Sequence, residues 1–302
     1  MGNAINRHKP GGQNAIGALM NDRSDLAIDL MYCSGDIQES TADDRSAGAT
    51  TGKIPVDGYV AAAPESAGAM PAVFGRYRVE GLLGRGGMSS VYLAHDEQLG
   101  RPVALKIPRI TTSHSDRVLA RLRREARSVA ALQHPNICPV YDVGEIDGIH
   151  YLAMAYIKGR SLADYLKSAR PQSERAAVLT VLKIAQALEE AHRQGILHRD
   201  LKPANIMIDV RGEPIVMDFG LACQLEDDEA RLSHDELMVG TPAYMSPEQI
   251  DHRAPLGPAS DIYSLGVVLY ELLTQRCPFQ GSVLSVTGQS VHSEPPAIES
   301  LR

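Results

Sequence analysis

The hydrophobic and polar positions divide the chain at about residue 72. Before that point no helical or strand period is sustained, and Gly, Ala, Ser, Asp and Pro dominate, with Tyr32 and Tyr59 as the only aromatic residues. Such a segment cannot bury enough apolar surface to offset the entropy lost on ordering. We therefore expect residues 1–72 to form a disordered tail with one weak helix around residues 25–32. The tail is interpreted as a linker, and a docking or autophosphorylation segment is the alternative.

Short apolar segments from residue 73 onward predict several β-strands. Alternating apolar and polar residues, or short apolar runs bounded by turn residues, are typical of strands. The strands are predicted at residues 77–83, 91–94, 102–107, 140–144 and 149–156. A glycine-rich turn over residues 84–90 joins the first two, and Lys106 interrupts the third. A lysine amid buried apolar residues is costly unless a partner neutralises it, so Lys106 is a candidate functional residue.

Helical spacing of apolar residues predicts four helices. They are expected at residues 117–133, just after the capping box Ser161-x-x-Asp164, at residues 173–192 and at residues 260–273. The last of these is apolar nearly all round, so it must be buried. The residues beyond Phe279 are rich in Ser, Gly and Pro, and we expect an irregular C-terminal segment over residues 280–302.

Composition and charge exclude several classes of function. A net charge of -7 and a pI of about 5.8 give no electrostatic reason to expect nucleic-acid binding. The four cysteines are far apart and form no C-x-x-C pair, which argues against a zinc site or a disulfide framework and fits a reducing compartment. No apolar run reaches the roughly 18 residues of a membrane span, and the first residues lack the apolar core of a signal peptide. We therefore expect a cytoplasmic protein.

The stretch from His198 to Asn205 carries the strongest chemical signal. It places the acid Asp200 five residues ahead of the amide Asn205, between a predicted helix and an apolar run that predicts a strand. An acid at this spacing can accept a proton from an attacking hydroxyl while the amide holds a metal ion on a phosphate chain. Asp218, thirteen residues after Asn205, supplies a second acid for the metal.

The glycine-rich turn at residues 84–90 fits the same chemistry. Glycines between two strands let backbone amides approach phosphates without side chains in the way, although they also make plain hairpins. The turn, the strand lysine, the loop around Asp200 and the sequence Asp-Phe-Gly stand in the order found in the protein kinases. Residues from about Phe74 to Phe279 resemble that family. Residues 202–203 and 240–244 resemble Ser/Thr kinases rather than Tyr kinases. Residues 86–92 and 241–249 resemble the eukaryotic-like serine/threonine kinases of bacteria.

Two positions depart from the family pattern. The third glycine of G-x-G-x-x-G is Ser89 here, a small residue that still lets the loop close over phosphates. Ala155 stands where the family's hinge between lobes often carries an acid. Backbone groups read adenine at that hinge, so we expect this change to be mild.

The resemblance implies an α+β, two-lobed protein kinase fold. The kinase domain is expected over residues 73–279, with a small β-rich N-lobe at residues 73–154 and a mainly helical C-lobe at residues 158–279. In the family, further helices pack on the buried helix, and we expect this chain to lack them, as a fragment or a truncated chain. The helix at residues 260–273 would then be partly exposed, and Glu248 would lack the arginine that pairs with the family's matching glutamate.

The resemblance also implies a serine/threonine protein kinase that uses ATP, with Mg²⁺ or Mn²⁺, on protein substrates. Asp200 would orient the substrate hydroxyl and accept its proton, and Lys202 would neutralise charge on the transferring phosphoryl group. Asn205 and Asp218 would hold the metal. The residues expected to form the ATP site are Leu83, Gly84, Gly86, Ser89, Val91, Ala104, Lys106, Glu125, Met154, Tyr156, Ile157 and Met207.

The resemblance also implies structural roles for two acids. Glu125, nineteen residues past Lys106, is expected to fix that lysine on the nucleotide phosphates. Its alternative is a solvated ion pair with the arginines beside it, but the apolar face of its helix favours the pair with Lys106. Asp261, on the buried helix, is expected to accept backbone N–H bonds near the catalytic loop.

The segment after Asp-Phe-Gly is expected to carry substrate binding and regulation. Arg199 would offer a cation to a phosphate on Ser233, although acids of the segment itself are the alternative partners. Thr241 is expected to hydrogen-bond Asp200 and so favour Ser or Thr acceptors, and Glu248 closes the segment. Self-association with autophosphorylation is a further expected interaction.

Two other classes of function compete with catalysis by a protein kinase. A nucleotide-binding scaffold without turnover would explain a shortened C-lobe, but it has no physical need for the complete set of catalytic residues. A small-molecule phosphotransferase shares the acid–amide–acid core, but it does not need the segment at residues 240–248, which shapes a peptide site.

Overall fold

Six antiparallel strands make up the first part of the folded region. The computed structural model describes residues 70–87, 89–108, 124, 126–168, 172–219, 242–251 and 255–300. The strands are β1 (Val73–Phe74), β2 (Tyr77–Arg85), β3 (Ser89–Asp96), β4 (Arg101–Pro108), β5 (Val140–Ile146) and β6 (Ile149–Ala155). They lie in the order β1-β2-β3-β4-β6-β5, and each neighbouring pair is antiparallel. The five strands predicted from the sequence are confirmed.

One face of this sheet packs around three aromatic rings. Tyr151 makes edge-to-face contacts with Phe74 and Tyr77 at centroid distances of 5.6 and 5.4 Å, which is a favoured geometry for aromatic pairs. Met70 packs against the same cluster, so the folded region begins slightly before the predicted boundary at residue 73. The rest of the expected tail, residues 1–69, lies outside the described residues.

Helices dominate the second part. They are α1 (Leu162–Lys167), α2 (Glu174–Arg193), α3 (Pro247–Asp251), α4 (Pro258–Thr274) and α5 (Val283–His292). The helix predicted at residues 117–133 is helical over residues 126–130, and most of its earlier part lies outside the described residues. Among the described residues, no helix is long and apolar enough to cross a membrane.

Helices α2 and α4 form the centre of the larger core. Ile184 and Leu188 on α2 pack in one cluster with Val268 and Leu272 on α4, and all four are at most 1% exposed. Ser173 defines where α2 begins, because its side chain accepts the backbone N–H of Ala176. The apolar sequence of α4 is thus explained by burial, as the sequence predicted.

A short three-stranded sheet includes the strand that follows residues 198–205, the predicted catalytic loop. It consists of β7 (Gly159–Ser161), β8 (Ile206–Asp209) and β9 (Pro214–Val216), in the order β7-β8-β9. Ile206 and Ile208 on β8 enter the helical core, so Met207 between them faces the other side of the sheet. Gly159 approaches β8 so closely that a Cβ would lie 1.9 Å from the backbone oxygen of Ile208. Only glycine fits there without moving the strand.

The expectation of an irregular segment at residues 280–302 was wrong over helix α5. Its sequence is rich in Ser, Thr and Gly, which are weak helix formers, and this composition concealed it. Ser282 caps the helix by accepting the backbone N–H of Ser285 at 3.3 Å, and Val286 packs against Phe279 and Ala243. Tertiary packing therefore stabilises a helix that local propensity does not predict.

The expected exposure of helix α4 was also largely wrong. Leu265 and Leu272 are 5% and 1% exposed, whereas Ile262 in the first turn is 51% exposed. Within the described part of the chain, Glu248 accepts a hydrogen bond from the Ser260 hydroxyl at 2.6 Å rather than pairing with an arginine. The first turn of α4 thus supplies the partner of Glu248.

Candidate active site

Three polar side chains predicted to be catalytic meet at the turn before β8. The Lys202 Nζ lies 2.9 and 2.8 Å from the two carboxylate oxygens of Asp200. The Asn205 Nδ2 donates to the backbone oxygen of Asp200 at 2.7 Å and to its Oδ2 at 3.0 Å. Asn205 ends a short 3₁₀ turn, Pro203–Asn205, which brings it back to Asp200. The acid, the cation and the amide therefore form one constellation.

His198 links this constellation to the chain before Asp218. Burial lowers the pKa of His198, so its imidazole is neutral near pH 7. The Nε2–H donates to the backbone oxygen of Met217 at 2.9 Å, which leaves Nδ1 to accept the backbone N–H of Asp200 at 3.3 Å. Its ring also packs on Phe219 with centroids 4.8 Å apart. One neutral histidine thus fixes the spacing between the two acids.

Asp261 on α4 binds the first two residues of the catalytic loop. It is 1% exposed, and it accepts the backbone N–H groups of His198 and Arg199, both at 2.8 Å. Its Oδ2 also lies 2.7 Å from the Nε2 of His192 on α2. The sequence-based expectation for Asp261 is confirmed. The carboxylate of Asp261 therefore fixes the position of the catalytic loop relative to the buried helix α4.

The two residues predicted to bind metal lie side by side. The backbone N–H of Met217 donates to the oxygen of Asn205 at 2.8 Å, which places Asp218 next to Asn205. Because the Asn205 amide nitrogen points to Asp200, its side-chain oxygen is left to act as a ligand. One carboxylate and one amide oxygen suit Mg²⁺, which keeps several positions for water and phosphate. The residues present therefore fit a divalent ion.

Lys106 contacts Asp218, the acid predicted to bind metal. Its Nζ lies 2.8 Å from Asp218 Oδ1, and both side chains are partly buried. Asp218 has φ of 58°, a left-handed conformation that is unusual for a residue other than glycine. Glu125, the partner expected for Lys106, lies outside the described residues, so that pair stays a prediction.

Four of the residues predicted to contact ATP pack together, and we expect the nucleotide cleft to lie against them. Val91, Ala104, Met154 and Ile157 belong to one apolar cluster. Ala104 and Met154 pair across β4 and β6 and are 5% and 4% exposed. This is the predominantly apolar lining that a planar ring requires.

Most of the other predicted ATP residues lie on β2, in the turn after it, just after β6 and on β8. Leu83 and Gly84 lie on β2, and the N–H of Gly86 closes the turn by donating to the oxygen of Ser89 at 2.8 Å. Tyr156 and Met207 are half-buried, in the hinge and on β8. The glycine-rich segment is thus a hairpin turn between β2 and β3, and its contact with phosphates stays a prediction.

Sequence reasoning did not assign several other members of this cluster to the site, among them three that come from outside β4 and β6. Cys138, Ile215 and Met217 pack in the same cluster. Burial raises the pKa of the Cys138 thiol to about 12, so this side chain is a neutral apolar group at physiological pH. The alternation of Ile215 and Met217 just before Asp218 is the signal that could have located two of them.

Helix α4 holds the end of the segment expected to face the substrate, residues 221–248, which we call the substrate-facing segment. The Tyr244 hydroxyl donates to Glu271 Oε2 at 2.5 Å, and Ser264 donates to the backbone oxygen of Tyr244 at 2.7 Å. The Cys277 thiol contacts the same hydroxyl at 3.6 Å. Ser233 and Thr241 lie outside the described residues.

We expect Glu271→Gln to stabilise the protein at neutral pH. Burial raises the pKa of Glu271, so ionisation of this carboxyl costs stability as the pH rises through the folded-state pKa. A neutral amide avoids that cost and can still accept from Tyr244, so unfolding at pH 8 should require on the order of 0.5–1 kcal/mol more free energy. Below about pH 4 both forms are neutral and the difference should vanish.

Urea unfolding of both proteins between pH 4 and pH 8 measures this effect. Glu299→Gln is the matched control, because Glu299 is exposed in the terminal 3₁₀ turn. A Glu271→Gln protein less stable than the wild type at pH 8 would contradict the prediction.

Comparisons with known proteins agree with this geometry. The protein kinase domain model matches residues 77–298. A probable serine/threonine-protein kinase PknB from Bifidobacterium longum is 44% identical over 232 residues, 72% of this chain and 33% of that protein. Serine/threonine-protein kinase PrkC from Bacillus subtilis is 41% identical over 227 residues, 74% of this chain and 34% of that protein. This chain thus spans about a third of the length of these curated relatives.

The fold is also shared with solved kinases. The crystal structure of the Mycobacterium tuberculosis PknI kinase domain superimposes with a TM-score of 0.61 at 27% identity, covering 78% of this chain and 85% of that one. The α+β architecture, with its strand-rich and helical lobes, is therefore confirmed. By its sequence and by its structure, the chain belongs to the protein kinase domain family.

Proposed function

We propose that this chain transfers the γ-phosphoryl group of ATP to Ser or Thr hydroxyls of proteins. The observation that carries the proposal is the constellation of Asp200, Lys202 and Asn205, held beside the Lys106–Asp218 pair. The curated relatives named above are serine/threonine-protein kinases, which supports the same reaction and the same class of acceptor. Protein kinases generally use ATP with a divalent metal.

The side chains divide the reaction between them. Asp200 accepts the hydroxyl proton, while the hydrogen bond from Asn205 holds its carboxylate in place. Lys202 lies on the same carboxylate and neutralises charge on the phosphoryl group as it moves to the acceptor. A bare carboxylate beside phosphates would repel them, so this lysine makes proton acceptance compatible with nucleotide binding.

The nucleotide is held by the opposite wall of the cleft. Lys106 anchors its phosphates, and the turn containing Gly84 and Gly86 covers them through backbone N–H groups. The oxygens of Asn205 and Asp218 would hold Mg²⁺ or Mn²⁺, which when bound withdraws charge from the phosphates. The apolar cleft around Ala104 and Met154 accepts the adenine ring.

Regulation and acceptor choice belong to the segment before Glu248. We propose that Thr241 orients Asp200 toward Ser or Thr acceptors and that Ser233 is a phosphorylation site read by Arg199. The buried Nε of Arg199 makes no hydrogen bond within the described residues, which leaves this cation able to bind a phosphate. Self-association of two chains would bring such a serine to a neighbouring active site.

Incubation with labelled ATP and Mg²⁺ tests the function. We expect the chain to label a generic protein substrate, such as casein, on serine and threonine and not on tyrosine. We also expect 1 mM ATP with Mg²⁺ to raise the Tm, because a ligand at about 100 times its Kd contributes about 2.7 kcal/mol. Stabilisation without transfer would contradict the proposed reaction and favour a nucleotide-binding scaffold.

A further inference from the structure

Gln249 on α3 joins the substrate-facing segment to the catalytic loop. Its side-chain Nε2 donates to the backbone oxygen of Arg199 at 2.7 Å. Its Oε1 accepts the backbone N–H of Ser246 at 3.0 Å. Ser246 is completely buried, and its backbone oxygen accepts the N–H of Gln249 at 3.0 Å. The Gln249 amide is therefore held at both ends.

This position requires the chemistry of glutamine. A backbone N–H can only donate and a backbone oxygen can only accept, so the bridging group needs one acceptor and one donor. Glutamate lacks the donor, and lysine and arginine lack the acceptor. Asparagine has both groups but is one methylene shorter. The two contacts thus require the glutamine side chain itself. A solvent-exposed residue on a short helix would carry no such requirement.

The contacted peptide group lies directly before the catalytic acid. The oxygen of Arg199 and the nitrogen of Asp200 belong to the same peptide plane, so the contact from Gln249 fixes the orientation of that plane. Arg199 has φ of 65°, in the left-handed region that costs a non-glycine residue about 1 kcal/mol. Such a conformation persists only where the surroundings impose it.

Two elements impose this conformation from opposite sides. Asp261 accepts the N–H of Arg199 at 2.8 Å, and Gln249 donates to its oxygen at 2.7 Å. The acceptor comes from the buried helix α4, whereas the donor comes from α3, directly after the substrate-facing segment. The orientation of Asp200 therefore depends on that segment being in place.

We propose that Gln249 is a positioning residue for phosphoryl transfer, which orients the Arg199–Asp200 peptide plane and couples it to the substrate-facing segment around Ser246. This inference rests on the proposed kinase function. Gln249 acts through the peptide ahead of Asp200, whereas nucleotide affinity depends on Lys106 and the apolar cleft. Its loss should therefore lower kcat and leave the KM for ATP unchanged.

Gln249→Glu is the sharpest test, because it keeps the side-chain length and the acceptor for Ser246 but turns an oxygen toward the oxygen of Arg199. We expect kcat to fall about tenfold or more, since small displacements of a catalytic group are costly. The KM for ATP should stay within about twofold of the wild type. Gln249→Met removes both hydrogen bonds without adding charge, and we expect a smaller fall in kcat with the same unchanged KM.

Gln280→Glu is the matched control. Gln280 also donates from Nε2 to a backbone oxygen, that of Cys277 at 3.4 Å, but it is exposed and lies beyond α4. Gln280→Glu makes the same chemical change as Gln249→Glu, and the kcat of this control protein should equal that of the wild type. The Tm of each protein, with and without ATP and Mg²⁺, shows whether the variants fold and bind nucleotide.

Each result bears on one conclusion. A wild-type kcat in both Gln249 variants would overturn the positioning role, as would a fall in kcat matched by a lower Tm and a higher KM for ATP. Absence of transfer by the unmodified chain would instead refute the proposed function, and this inference with it. The transfer rate of the unmodified chain is measured first, so failure of the proposed function can be distinguished from failure of the positioning role.

Discussion

Asp200→Asn should lower kcat for phosphoryl transfer by about 10³-fold while the fold and ATP affinity are retained. The amide oxygen can still accept from Lys202, which lies 2.8 and 2.9 Å from the carboxylate oxygens. An amide cannot, however, take a proton from the attacking hydroxyl. Initial rates of label transfer at saturating ATP measure the loss, and a thermal shift with ATP and Mg²⁺ measures the retained affinity.

Asp147→Asn is the control for this substitution. Asp147 is exposed in the turn between β5 and β6, and its φ of 50° is a conformation that asparagine also tolerates. The Asp147→Asn protein should transfer label at the wild-type rate. If the Asp200→Asn protein kept more than about a tenth of the wild-type kcat, Asp200 could not be the proton acceptor.

Asp261→Ala should lower the free energy of unfolding by about 3–5 kcal/mol, an effect typical of breaking a buried charged network. The substitution leaves the backbone N–H groups of His198 and Arg199 buried without an acceptor, and each such group costs about 1–3 kcal/mol. It also removes the partner of His192. Because this carboxylate holds the catalytic loop in place, phosphoryl transfer should be lost even in conditions where the variant is folded.

Urea unfolding followed by circular dichroism measures the stability change. Asp261→Asn should be intermediate, because one of its two side-chain groups can still accept. Glu189→Ala, at an exposed acid of α2, should change stability by no more than about 0.5 kcal/mol. An Asp261→Ala protein as stable as Glu189→Ala would show that the hydrogen bonds from the loop contribute nothing to folding.

The parts of the site that are local in sequence could be predicted from sequence. Asp200, Lys202 and Asn205 lie within six residues of one another, so their spacing alone indicates that they meet. Five of the six strands of the first sheet were also predictable, because their apolar pattern and the turns between them are local signals, whereas the two-residue strand β1 is too short to show such a pattern. Lys106 stood out because a charge within an apolar strand needs a partner.

Contacts between distant segments could not be predicted in this way. Gln249 meets Arg199 fifty residues earlier in the chain, and no periodicity marks either residue. The same holds for Tyr244 and Glu271, which are joined across twenty-seven residues. Helix α5 was missed because its stability comes from packing of Val286 on Phe279 rather than from propensity. These features depend on which surfaces meet after folding.

The pairing of Lys106 with Asp218 and of Lys202 with Asp200 has a thermodynamic consequence for ligand binding. Among the described residues, these two cations and two anions balance each other. A nucleotide that draws Lys106 onto its phosphates leaves Asp218 without a counter-charge beside new negative charge, and a divalent cation replaces the missing charge. Each ligand therefore tightens the binding of the other by the same factor, because coupling between two binding equilibria is reciprocal.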